Sequence, residues 1–211
     1  KTTDPDYPGI ISGVREMIIV DAHQDLAWNI LTFKRDYTRP AAITRQLEAG
    51  SLAQEQNGDT LLGWNDYQQG RIGLIFATLY VTPQRYCAGE WDRLCYADVQ
   101  QAHAMYSAQI DAYQRLIEEH PDKFRLVLDQ KDLTQVLESW KNYIQKSDTS
   151  PENEPDGKDS PPVGLVILME GAEGVRDPSE LEWWWQKGVR LIGPAWAGTR
   201  YCGGTKEPGP M

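Results

Sequence analysis

The chain has 211 residues, 40% of them hydrophobic and 25% charged, so it can bury a real core as one large domain or two small ones. Its formal net charge of −10 offers no basic patch to a nucleic acid or an anionic membrane. No apolar run approaches the ~20 residues of a membrane span.

Pro5, Pro8 and Gly9 mark residues 1–10 as an extended lead-in. Residues 1–17 lack the apolar core of a signal peptide, which predicts a cytoplasmic protein, although a chain starting at Lys1 leaves room for upstream processing. Residues 18–22 read as the first buried strand and run straight into His23-Gln24-Asp25. Residues 26–70 show no long clean period; stretches near 40–49 and 59–69 read as helical, with Gly50 stopping the first. Residues 72–81 form the second buried strand, closed by Pro83, and a loop with Cys87, Trp91 and Cys95 follows. The three cysteines, Cys202 included, make no Cys-x-x-Cys pair; reduced thiols are expected, with a local Cys87–Cys95 disulfide as the alternative in a secreted protein.

Residues 96–119 carry the clearest helical stripe, Val99, Ala102, Met105, Tyr106, Ile110, Tyr113 and Leu116, and Pro121 ends it. A short strand over 124–128 and a helix over 131–145 follow. Residues 146–162 are rich in Ser, Asp, Glu and Pro and predict a flexible, solvated insertion that builds no core. Residues 163–169 are the third main strand, ending at Glu170. A helix near 178–187 leads to a fourth strand over 189–192, and the chain leaves through Pro194-Ala195-Trp196-Ala197-Gly198 and a glycine-rich tail. Strands alternating with helices predict a parallel β/α architecture. The strands are apolar throughout, as in a sheet buried on both faces.

Alternation along a strand puts His23 and Asp25 on one face. A neutral imidazole beside a carboxylate can be half of a divalent-metal site, though a strand followed by a polar turn is the better account of the pair when it stands alone. Glu170 and the Ala195-Trp196-Ala197 turn change the balance. They follow later parallel strands, at the end where β/α barrels build their sites. His103 and His120 lie in or at the end of the long helix and read as surface residues. Trp183, Trp184 and Trp185 are neighbours on a helix and face different ways, which suits packing or a homodimer contact better than a ligand cage.

Asp21-Ala22-His23-Gln24-Asp25-Leu26-Ala27-Trp28 resembles the opening strand of the membrane (renal) dipeptidase family, peptidase family M19. Leu168-Met169-Glu170-Gly171-Ala172, Gly188-Val189-Arg190 and the segment from Gln69 to Phe76 resemble that family's third, fourth and second strands. The resemblance covers most of residues 18–205. It implies the N-terminal half of a (β/α)8 TIM barrel of the amidohydrolase superfamily, with residues 1–211 as part of a single barrel domain whose remaining half lies elsewhere. It implies a metallo-dipeptidase that hydrolyses dipeptides with two divalent ions, zinc by ligand type. His23 and Asp25 would bind the first metal, Glu170 would bridge both, and Asp25 would also help orient the water. The family's remaining ligands come from later strands, expected beyond Met211. Trp196 stands where the dipeptidase has a substrate-contacting histidine. That leaves open an amidohydrolase acting on another amide or lactone, or a non-catalytic scaffold of the same fold.

Overall fold

The computed structural model describes residues 17–149 and 160–205. In chain order it consists of β1 (Ile19–Gln24), α1 (Leu26–Phe33), α2 (Ala41–Glu48), α3 (Leu52–Asn57), α4 (Trp64–Gln69), β2 (Ile72–Tyr80), the two-residue strands β3 (Thr82–Pro83) and β4 (Cys95–Tyr96), α5 (Val99–Glu119), β5 (Phe124–Leu126), α6 (Gln130–Thr149), β6 (Val163–Glu170), α7 (Leu181–Gln186) and β7 (Val189–Gly193). β1, β2, β6 and β7 lie side by side in that order, every pair parallel. β5 adds to the start of β6, on the edge that β7 takes over further along. Leaving aside the short β5 and the separate β3–β4 pair, the four long strands follow one another across the sheet in chain order. That is the winding of a barrel wall, not of a doubly wound sheet with a switch point.

The sheet residues Ile75, Ala77, Leu79, Val163, Leu165, Ile167 and Met169 are all fully buried on one face. Helices α1, α4, α5 and α6 pack against β2. The opposite face differs from the expectation of burial on both sides. Register places Val20, Leu74, Phe76, Leu168 and Leu191 on it, and Val20 is 50% and Leu191 40% exposed. The strands are apolar on both faces, but among the described residues only one face is fully covered.

Two helix starts and one 3-10 turn follow sequence chemistry. Ser51 and Asp98 accept from the backbone N–H three residues on, and Asp177 caps the short 3-10 turn Pro178–Glu180. The helix α1 was not anticipated. Its first turn, Leu26, Ala27, Trp28 and Asn29, is buried all round and shows no amphipathic period. The helix expected over 59–69 is confined to Trp64–Gln69, because the Trp64 N–H bonds across to the Arg39 carbonyl rather than within a longer helix. α6 runs on to Thr149, into the stretch read as a flexible insertion, whose residues 150–159 lie outside those described.

Cys87 and Cys95 form a disulfide, Cα atoms 5.8 Å apart, in place of the reduced thiols expected. The cause is local: β3 pairs with β4, setting Thr82 against Cys95, and the intervening loop folds back to bring Cys87 to the same place. Inside that loop Trp91 stacks on Phe33 and meets Trp28 edge-on, which seats the loop on α1. Cys202 is free and half-buried.

Candidate metal centre

His23, Asp25 and Glu170 come together at the C-terminal end of the sheet. One ligand atom from each lies within 4.8 Å of the others. His23 Nε2 is 3.5 Å from Asp25 Oδ2 and 3.5 Å from Glu170 Oε2. The pairing of His23 with Asp25 does not arise from simple alternation. β1 carries an irregularity between Asp21 and Gln24, opposite Ile75 and Ala77, so three residues of β1 span two of β2. This bulge puts Asp21 and Gln24 on the buried side, where Gln24 donates to Asp21 at 2.7 Å and accepts from Tyr67 Oη at 2.8 Å. His23 is re-aimed toward Glu170, and Asp25 follows beyond the strand. Glu170 is the last residue of β6, with Tyr80 of β2 beside it in register.

Both carboxyls are held above their ordinary pKa. Burial is the first cause for each; His23 opposes it, and the Asp25 charge pushes Glu170 further up. Asp25 Oδ1 is buried without a hydrogen-bond partner. Two carboxylates and an imidazole converging, with one buried oxygen unsatisfied, is a donor set that fits a hard or borderline divalent cation. The second cluster of this kind, Cys87, Asp92 and Cys95, has both sulfurs committed to the disulfide.

The site rests on α5. Tyr106 Oη lies 2.9 Å from the Glu170 carbonyl and 2.7 Å from that of Gly171. Gln109 brackets Tyr80, accepting from its N–H and donating to its carbonyl. Tyr113 Oη donates to the Thr78 carbonyl and accepts from the Ala27 N–H. Tyr106 gets this close because Gly174 has no side chain: a Cβ there would sit 2.1 Å from Tyr106 Cδ2. Gly171, at φ +84°, takes the left-handed turn that starts immediately after Glu170. None of these supporting residues stood out in the sequence except that Gln109, wholly buried, breaks the apolar stripe of its helix.

Trp196 lies near Glu170. The two line one narrow crevice with Tyr106 and Thr199, and the Trp196 ring packs edge-on against Tyr80 with centroids 5.4 Å apart. His103 is not the surface residue expected. It is partly buried, stacks on Trp183, and has Nδ1 3.0 Å from the Gly174 carbonyl. A carbonyl only accepts, so Nδ1 carries the proton. Of the three tryptophans, Trp184 is buried while Trp183 and Trp185 are exposed, under Lys187 and Arg190 respectively. No helix among the described residues is long and apolar enough to cross a membrane.

A parallel α/β sheet with its polar cluster at the C-terminal strand ends is the arrangement of a β/α-barrel scaffold. The chain belongs to the membrane dipeptidase family, peptidase family M19, whose profile matches residues 12–208. Among solved structures it resembles "dipeptidase AC", a metallopeptidase of family M19 (TM-score 0.57, 15% identity), covering 89% of this chain and 46% of that one. It is equally similar to a metallopeptidase from Rhodobacter sphaeroides solved with a phosphinate mimic of L-Ala-D-Ala (TM-score 0.57, 14% identity), covering 89% of this chain and 48% of that one. The chain thus spans about half the length of these relatives. A sequence search of curated proteins returned no match.

Proposed function

We propose that this chain is the N-terminal part of a single-barrel metallo-dipeptidase, with His23, Asp25 and Glu170 as metal ligands. The observation that carries the reading is the convergence of their three ligand atoms within 4.8 Å. His23 and Asp25 would hold the first of two divalent ions, zinc by ligand type, and Glu170 would serve both. Bound ions of this kind polarise a peptide carbonyl and make water nucleophilic near neutral pH. Asp25 would also help orient the water. Trp196 contacts the substrate through its ring and indole N–H, which can donate a hydrogen bond but no proton. The disulfide favours an oxidising compartment over the cytosol first expected.

Because Trp196 replaces a histidine expected from the family resemblance, an amidohydrolase acting on another small amide or lactone is the second reading. Zinc or cobalt titration of wild type and His23→Ala tests the metal site: wild type is expected to bind and the variant to lose most of its affinity. Absence of binding in a barrel completed by its second half would sink the metallohydrolase reading. Turnover of a dipeptide panel, D-residue C-termini included, separates the two substrate classes.

A further inference from the structure

Asp25 occupies the N-cap position of α1 yet makes no capping bond. Aspartate is among the best N-cap residues, and elsewhere this chain uses it so: Asp98 (φ −146°, ψ 170°) and Asp177 (φ −146°, ψ 144°) both sit in extended backbone and accept a helix N–H. Asp25 has φ −84° and ψ 51°, and its carboxylate is turned toward His23. One of the two N–H groups that it could have taken, that of Ala27, donates instead to Tyr113 Oη at 3.2 Å, from a residue in α5. The same hydroxyl donates to the Thr78 carbonyl at 2.8 Å, which fixes its direction. Leu26, Ala27 and Trp28 are buried, so water cannot cap this helix start. An unpaired N–H there would carry its full desolvation cost.

We propose that Tyr113 is a positioning residue for Asp25: its hydroxyl caps α1 from α5 and so frees the Asp25 carboxylate for the metal site. The inference rests on the metal reading of His23, Asp25 and Glu170. Burial holds the Tyr113 phenol well above its ordinary pKa, so it stays a hydroxyl and can donate and accept at once. Without that oxygen, the nearest residue of capping chemistry is Asp25 itself. It cannot serve the helix and the ion together.

The test uses the full chain, with Co(II) as the metal probe and amide hydrogen exchange at Ala27 in metal-free protein. Tyr113→Phe keeps the ring. It is expected to lower Co(II) affinity roughly tenfold, in line with other residues that orient metal ligands, while the Ala27 amide stays protected because Asp25 takes it over. In Tyr113→Phe/Asp25→Ala that protection is lost, and in Asp25→Ala alone it is kept. The proposal is overturned if Asp25→Ala alone exposes the Ala27 amide, if Tyr113→Phe exposes it, or if Tyr113→Phe leaves Co(II) affinity unchanged. Should Tyr113→Phe not fold, the Asp25→Ala exchange measurement still decides, since it alters no core residue. Failure of the metal reading shows separately, as a wild-type chain that binds no Co(II) whatever the exchange results.

Discussion

Asp25 and Glu170 share His23 as a neighbour, and burial makes each easier to protonate in the folded chain than in the unfolded one. The folded state therefore holds more protons through the range just above ordinary carboxylate values. Without metal, stability is fullest below that range and declines as pH rises through it. Asp25→Asn and Glu170→Gln remove the buried charge. Each is expected to raise the melting temperature of metal-free protein at neutral pH and, on the proposed ligand reading, to lower metal affinity; melts with and without chelator check both. Gly174→Ala forces a Cβ against the Tyr106 ring and should cost about 1–3 kcal/mol in a urea titration, as overpacked cores do. His23, Asp25 and Glu170 could be picked out as candidates from the sequence because polar residues after apolar strands have few places to go, whereas Trp196 takes a role only through the family resemblance. Tyr106 and Tyr113 could not. Their rings fit the apolar stripe of α5, and only three-dimensional packing reveals that their hydroxyls reach the strand ends.

Between residues and fold stands the loop closed by Cys87 and Cys95. Its closure should contribute about 2–3 kcal/mol on a chain-entropy estimate for so short a ring, and reduction should lower stability by that amount. Trp91 should report the change, since its stacking on Phe33 and Trp28 holds the loop to α1; its fluorescence is expected to shift on reduction without global unfolding. Strands β2 and β6 and helix α5 were legible as long apolar runs or a clean period. α1 was not, because a helix start buried on all sides has no polar face to betray its period. The bulge in β1 was equally hidden. Nothing local in Asp21-Ala22-His23-Gln24 distinguishes two residues on one face from three, and the choice is made by Tyr67 and Ile75 across from it.

For the molecule as a whole, the sequential order β1-β2-β6-β7 and the span of about half of its solved relatives fit a barrel wall that other strands complete. Val20 and Leu191 stand exposed on the less covered face. Isolated, the chain is expected to bind a hydrophobic dye such as ANS, and Val20→Lys with Leu191→Lys to reduce that signal. Alternating strands and helices made the architecture readable, whereas the incomplete cover of one face could not be read from strands that are apolar on both.

β1 and β6, which carry the proposed ligands, are not bonded to each other; β2 runs between them. An ion shared by His23, Asp25 and Glu170 is therefore a staple over an intervening strand, tying residues far apart in the chain. Closing so long a loop restricts the unfolded chain much as a distant covalent cross-link does, on the order of 4–5 kcal/mol in the chain-entropy picture. Unfolding would then have to release the ion, and the melting temperature would climb with free metal concentration as mass action requires.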